Sequence, residues 1–328
     1  MKLLVARAGY LTSVQDLGRT RHRSDGVSVG GALDVHALRV ANLLVGNEPA
    51  AAGLELALGE TRLRFTDARV VAWCGGDFTV RAGTSDVPAG RAAFVAADEE
   101  LSLKPSARGA RVWLAVSSGI EVPLLLGSAS TDLRSRFGGF DGRPLRDGDA
   151  LALGRMRDRS AAIANTLISQ RVSDWSAPTA WSRTRAARPV LRLIRGADAS
   201  HFADAAFTSL VAAPFTVTAE SDRMGVRLRG PELRRLSRDE LLSEAVAPGT
   251  VQVPPSGDPI VLLGDCQTIG GYPKIAHVIT VDLPAVAQLM PGDVVHFAEV
   301  PLSHAHSLLF ERERDLAWFR AGVALKNK

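Results

Sequence analysis

Apolar and polar positions along this chain change places at short intervals, mostly with period two. Thr61-Arg62-Leu63-Arg64-Phe65 alternates strictly, and Val70 to Trp73, Phe78 to Arg81, Ala92 to Ala96, Leu101 to Leu103 and Val112 to Val116 are further short runs between turn residues. Side chains on a strand point to opposite faces in turn, so this spacing predicts strands with one face in a core. The second half repeats the pattern at Val190 to Ile194, Phe215 to Thr218, Val226 to Arg229 and Val251 to Val253. Ile260 to Leu263 is continuously apolar and predicts a buried strand. It opens into the polar, glycine-rich stretch Asp265 to Lys274, and a strand resumes at Ile275 to Val281. Helical spacing is rarer. Val35, Leu38, Ala41, Leu44 and Val45 form one stripe, with Asp34 as the predicted cap and Gly46-Asn47 as the stop. Shorter helical patterns lie at Ala199 to Leu210 and Glu311 to Leu325. The expectation is a mainly β chain, sandwich or barrel, with a few short helices.

Two long stretches fit neither period. Gly9 to Arg23 is polar and is expected to be a loop. Ser117 to Arg143 is glycine-rich, and the hydroxyls and amides of Ser128, Ser130 and Thr131 suit an anion. Residues 156–189 are rich in arginine and serine and read as a linker. It divides a first β unit, 1–155, from a second, 190–328, that ends in a helix. Arg146 to Leu153 and Met290 to Phe297 both read as a Gly-Asp turn followed by an alternating strand, which fits two halves of similar build.

Composition narrows the function. The chain has 328 residues, 46% of them hydrophobic, and 39 basic residues against 35 acidic ones give a net charge of only +4. No basic stripe with interleaved aromatics appears, so nucleic acid is not an expected partner. Two cysteines, Cys74 and Cys266, have no metal-ligand spacing and fit a reducing compartment. The sequence shows no run of 18 apolar residues, so a soluble cytoplasmic protein with no membrane partner is expected. No phosphate-binding P-loop, nucleophile elbow, His-Glu-x-x-His pair or Met-Lys-Met biotin-attachment sequence occurs, and no metal site is expected. Any cofactor chemistry then arrives on another chain or as a small molecule.

Several polar motifs occur in a fixed order. They are Thr12-Ser13-Val14-Gln15-Asp16-Leu17-Gly18-Arg19, Gly30-Gly31-Ala32-Leu33-Asp34, Ala41-Asn42-Leu43-Leu44-Val45-Gly46-Asn47, Gly53-Leu54-Glu55 and Gly127-Ser128-Ala129-Ser130-Thr131. Asp222-Arg223-Met224-Gly225-Val226-Arg227-Leu228, Gln252-Val253-Pro254, Gly257-Asp258-Pro259-Ile260 and Asp265-Cys266-Gln267-Thr268-Ile269-Gly270-Gly271-Tyr272-Pro273-Lys274 follow. In these the chain resembles the allophanate hydrolase subunit 2 family, also known as the C subunit of 5-oxoprolinase, which is the unit found in the carboxyltransferase domain of urea carboxylase. Ala129 stands where that family commonly has arginine, and Cys266 where it has another small residue.

The resemblance implies cyclophilin-like β-barrel units. It implies a companion, the B subunit of 5-oxoprolinase (allophanate hydrolase subunit 1), and a third component, the A subunit. The complex would use ATP to open the lactam of 5-oxoproline to glutamate, and this chain alone would bind no cofactor and be inactive. The alternative is transfer of a carboxyl group to urea or a related amide from carboxybiotin on a separate carrier. A non-catalytic regulatory binding protein is the third reading. Within the enzyme readings Asp265 or Asp16 is the expected base and Arg223 the expected catalytic cation. Thr12, Ser13, Gln15, Arg19, Asp34, Asn42, Ser128, Ser130, Arg227, Gln267, Thr268, Gly270, Gly271, Tyr272 and Lys274 are the expected substrate contacts.

Overall fold

The structure is a computed structural model, and it describes residues 1–107, 109–182, 189–237 and 241–326. The chain forms two compact units. The first comprises Met1–Arg19, Gly30–Thr184 and Asp315–Lys328, and the second Thr20–Val29 and Arg185–Arg314.

In the first unit the strands are β1 (Lys2–Ala8), β2 (Leu11–Gln15), β3 (Gly53–Ala57), β4 (Thr61–Phe65), β5 (Arg69–Gly75), β6 (Phe78–Ala82), β7 (Ser85–Asp86), β8 (Ala92–Val95), β9 (Glu100–Pro105), β10 (Arg111–Val116), β11 (Ile120–Glu121) and β12 (Ala150–Leu153). They make one sheet in the order β11-β12-β1-β4-β9-β6-β7 and another in the order β2-β3-β10-β5-β8. The alternation in β4 does what its period predicts: Thr61, Leu63 and Phe65 are buried and Arg62 and Arg64 exposed. Leu3 and Val5 of β1, Leu54 and Leu56 of β3, and Val112 and Leu114 of β10 join Leu63 and Phe65 in one apolar core. Helix α1 (Val35–Leu44) packs on β5 and β10, and the Asp34 carboxylate caps it by accepting from the Ala37 amide at 2.8 Å.

The strands of the second unit are β13 (Val190–Arg195), β14 (Phe215–Val217), β15 (Gly225–Arg229), β16 (Glu244–Ala245), β17 (Thr250–Gln252), β18 (Ile260–Leu262), β19 (Ile269–Gly270), β20 (Lys274–Val278) and β21 (Val294–Glu299). Seven of them close a barrel in the order β13-β20-β17-β18-β15-β14-β21, and β16 and β19 pair beside it. The barrel is antiparallel except where β13 meets β21. The mainly β expectation holds, with a barrel and short helices. No described helix is long and apolar enough to cross a membrane.

Local expectations change at three places. Leu11–Gln15 is a strand, not loop, hydrogen-bonded along β3; its buried polar side chains disguised the period. Residues 156–189 are not simply a linker: Asp158–Gln170 forms α2 and Thr179–Ser182 forms α3, both grouped with the first unit, while 183–188 lie outside the described residues. Ile163, Ala164 and Leu167 form a buried stripe on α2 that the surrounding arginines concealed. Helices α4 (Asp204–Ala212) and α5 (Leu283–Val286) follow, and the C-terminal helix α6 (Leu302–Lys326) starts well before the predicted Glu311.

Candidate functional site

The expected site residues fall into separate settings in the two units. In the first, the anion that Ser128 and Ser130 cradle is the side chain of Asp16. Its Oδ1 accepts from Ser128 Oγ at 2.6 Å, Ser130 Oγ at 2.5 Å and the Gly18 amide at 2.8 Å, and its Oδ2 accepts from the Ala129 amide at 2.7 Å. A buried carboxylate needs such donors to stay charged. Asp16 thus ties β2 to the 128–131 loop through these hydrogen bonds. Arg19 lies almost wholly buried beside it. It donates through Nε to the Leu125 carbonyl at 3.1 Å and through a terminal nitrogen to the Ser130 carbonyl, and stacks over Phe137 at 4.7 Å.

The other expected contacts of this unit are also turned inward. Thr12 donates to the Ala8 carbonyl at 2.5 Å, and Gln15 donates to Ser13 Oγ at 3.0 Å and to the Thr131 carbonyl at 3.1 Å. Asn42 donates to the Ala51 carbonyl at 2.8 Å and accepts from Asn47 at 2.9 Å, fastening the end of α1 to the following loop. Gly31, at φ +81°, crosses so close to the 17–18 backbone that an added Cβ would lie 2.9 Å from the Gly18 nitrogen. Glu55, to which the sequence assigns no role, is buried and accepts from the Leu33 amide at 3.0 Å and the Trp113 indole at 2.9 Å.

In the second unit, Arg223 and Asp265 form a buried bidentate pair, Nε to Oδ2 at 2.8 Å and a terminal nitrogen to Oδ1 at 3.1 Å. The Asp265 amide also donates to the Arg223 carbonyl at 3.1 Å. The pair thus fastens the turn before β15 to the loop after β18. Gln267 donates to Gln252 Oε1 at 3.2 Å, and Gln252 donates to the Tyr272 carbonyl at 3.2 Å. The Thr268 carbonyl accepts from the Val246 amide at 3.0 Å. Lys274 pairs with Asp198 at 2.9 Å and Glu244 at 2.8 Å. Gly270 and Gly271 do not take positive φ. Gly270 sits in β19, where a Cβ would meet the Gln252 amide nitrogen at 2.9 Å. Burial pushes the Cys266 thiol up to about 11, so it is a packed neutral group.

Two expected contacts remain open to solvent, Arg227 and Tyr272, and both line a cleft of about 240 Å³ on the second unit. Arg227 and Arg229 alternate with buried Val226 and Leu228 on β15, so both guanidinium stems leave the same strand face. Thr218, Ser256, Asp258 and Glu220 complete its polar lining. Glu220 is held below the ordinary carboxylate range by the neighbouring Thr218 hydroxyl and its own backbone amide, with Arg229 and Arg227 adding to the effect. Sequence reasoning missed Arg229, Glu220, Asp258 and Ser256. The Arg-x-Arg spacing on a predicted strand was the available signal for the first. Cations, carboxylates, a phenol and a hydroxyl around a small opening suit a small polar ligand bearing a carboxylate.

Residues 25–299 match the family described as carboxyltransferase domain, subdomain A and B, and the chain belongs to that family. It is 38% identical to the C subunit of 5-oxoprolinase from Escherichia coli (strain K12) over 319 residues, covering 96% of this chain and 98% of that one. Among solved structures it is similar to TTHA0988, with 37% identity and a TM-score of 0.78, covering 90% of this chain and 56% of that one. The Kluyveromyces lactis urea carboxylase matches at 25% identity and a TM-score of 0.87, covering 98% of this chain and 29% of that one. The chain thus spans about half of the first of these solved chains and under a third of the second.

Proposed function

We propose that this chain is the C subunit of a cytoplasmic ATP-dependent 5-oxoprolinase, which opens the lactam of 5-oxoproline to glutamate together with homologues of the B and A subunits. The observation that carries the reading is the near end-to-end match to the 5-oxoprolinase C subunit, 96% of one chain against 98% of the other. In this reading the cleft at Arg227 receives the substrate carboxylate. Arg227 or Arg229 forms a charge-assisted pair with it, and Tyr272 and Ser256 hydrogen-bond the ring amide. A cleft of about 240 Å³ suits a single small ring and not a nucleoside triphosphate. ATP would therefore be held elsewhere in the complex, and the chain alone would be inactive. Asp16, Arg223 and Asp265 serve by holding loops in place.

The test is ATP-dependent glutamate formation by this chain purified with the products of its neighbouring genes. Turnover should vanish when this chain is omitted, and turnover by the chain alone would refute its dependence on partners. Arg227→Gln should lower kcat/KM roughly 10–100-fold, mainly through KM, the scale of one hydrogen bond to a charged group. An unchanged KM in both Arg227→Gln and Arg229→Gln would remove the cleft from the reading.

A second reading is supported by the family match and by the likeness to urea carboxylase. In it the same chain transfers a carboxyl group to urea or a related amide from carboxybiotin on a separate carrier. Avidin would abolish that activity and leave the lactam-opening reaction unaffected.

A further inference from the structure

The cleft on the second unit is lined by charges of both signs that leave one another unpaired. Elsewhere in that unit Arg192, Arg195, Arg223 and Lys274 each pair with a carboxylate. Among the described residues Arg227, Arg229 and Asp258 form no ion pair, and the Asp258 carboxylate has no hydrogen-bond partner. Strand β15 runs antiparallel to β18 with Arg227 opposite Ile260, and the Leu228 amide donates to the Pro259 carbonyl at 2.9 Å. Continuing that register sets Arg229 opposite Asp258. Opposite charges across a ladder ordinarily attract. Here they stay apart, and both line the same opening of about 240 Å³.

The backbone that carries Asp258 is fixed. Pro254, Pro255 and Pro259 restrict φ on either side of it. The Val253 amide donates to the Pro273 carbonyl at 3.0 Å and the Gly257 amide to the Pro254 carbonyl at 3.0 Å, while the Gly257 carbonyl accepts from the Leu233 amide at 3.1 Å. Gly257 itself stands at φ +81°, and an added Cβ would lie 2.5 Å from Glu232 Cγ. The bond at Val253 also joins this segment to the residue after Tyr272. A carboxylate on such a backbone gives up little freedom when it meets a ligand. Glu220 differs from it. It is exposed, and Arg229 and Arg227 already stabilise its charge. Asp258 is thus the acceptor left over for a ligand.

We propose that Asp258 is a specificity residue of this cleft: it accepts the ring N–H of a lactam whose carboxylate is held by Arg227 or Arg229. The identity of the ligand rests on the 5-oxoprolinase reading, while its need for an N–H rests on Asp258. In 5-oxoproline the carboxylate and the ring nitrogen are attached to the same carbon, so one small ligand meets both charges, and Tyr272 and Ser256 are left for the ring carbonyl. A lactone of the same shape has an oxygen in place of the N–H. It turns lone pairs toward the carboxylate and is rejected. Opening the lactam converts the N–H to an ammonium, which a carboxylate binds more strongly, so the same residue also holds the product amino acid.

The experiment is titration calorimetry on the three-component complex without ATP, using 5-oxoproline and the γ-lactone of the same ring and carboxylate, with glutamate formation on adding ATP measured in parallel. The wild type should bind the lactam roughly 10–100-fold more tightly than the lactone. Asp258→Asn should bring the two within about 3-fold of each other, mainly by weakening the lactam, whereas Arg227→Gln should weaken both alike. The Asp258→Asn chain should keep the melting temperature and circular dichroism of the wild type, which separates a lost contact from a lost fold. If Arg227→Gln weakens the lactam but the wild type does not prefer it to the lactone, or the preference survives Asp258→Asn, the role of Asp258 is overturned and the cleft reading stands. Tighter binding of both ligands by Asp258→Asn would show that it only competes for Arg229, and overturns the proposal too. If Arg227→Gln, Arg229→Gln and Asp258→Asn all bind and turn over the lactam like the wild type, the cleft reading falls and the proposal with it. A wild-type complex that neither binds the lactam nor forms glutamate brings down the oxoprolinase reading and the proposal together.

Discussion

Asp16 and Asp265 are both buried carboxylates, 9% and 5% exposed, and each is matched from within its own unit by different chemistry. Asp16 receives hydroxyl and amide hydrogens; Asp265 receives a guanidinium. Their variants should differ accordingly. Asp16→Asn keeps the shape and sets an amide NH₂ against inward-pointing donors, with an expected cost of about 2–4 kcal/mol. Arg223→Met takes the bidentate guanidinium away from the buried Asp265 charge, with an expected cost of about 3–5 kcal/mol. The double variant Arg223→Met/Asp265→Leu should recover much of that loss, because removing both partners also removes the need to desolvate a charge. Urea unfolding of the three variants measures these differences. A double variant no more stable than Arg223→Met would show that the pair contributes more by geometry than by charge balance.

At the scale of elements, what could be read from the sequence was what depends on neighbours in sequence. The α1 cap at Asp34 bonds three residues ahead, and the β4 alternation needs no partner to be seen. Strand β2 was hidden because Gln15 finds its acceptor at Thr131 and Asp16 its donors at Ser128–Ser130, more than a hundred residues away. Polar residues satisfied over that distance look like solvent-exposed loop. The same distance turned an expected ligand cradle, at Ser128 and Ser130, into a cradle for the chain's own carboxylate. Of the expected site, only Arg227 and Tyr272 lie at the described cleft, and Arg227 and Arg229 share a face because of the strand period. The Leu125–Ser128 hairpin gives the test at this scale. Leu126→Asn places the preferred residue at positive φ and should stabilise the free chain by about 0.5–1 kcal/mol. A thermal melt checks it, and no gain would mean that Leu126 makes up the backbone cost by packing on its neighbours.

Across the whole molecule, charge is nearly balanced, yet several carboxylates are individually matched to cations, and these set the response to pH. Hydrogen bonds from Arg143 hold Asp149 below its ordinary 3.8. For Glu99 burial acts upward, but Arg171 and the Ala96 amide together outweigh it and the group sits below 4.5. For Asp198 burial again acts upward and the Lys274 ammonium and amide outweigh it. Each folded value lies below the unfolded one. The stability these groups contribute is therefore complete above the unfolded values, 3.8 for the aspartates and 4.5 for Glu99, and is lost as pH falls through the folded values. Lys274 has the opposite sign. Burial lowers it, but Glu244 and Asp198 raise it above 10.5, so its contribution is complete below that value and is lost as pH rises through the folded one. Both units carry such pairs, since Asp149 and Glu99 lie in the first and Asp198 and Lys274 in the second. Urea midpoints should be flat between about pH 8 and 9 and fall below about pH 4 for both units, with an earlier loss in the second unit as pH drops below 6.5, where His277, held below that value by burial, takes up a proton on unfolding. Lys274→Met should remove the alkaline loss in the second unit and shift its acid loss to higher pH, because Asp198 would then titrate without its cation. An acid limb identical in Lys274→Met and wild type would show that Asp198 is held down by backbone donors alone.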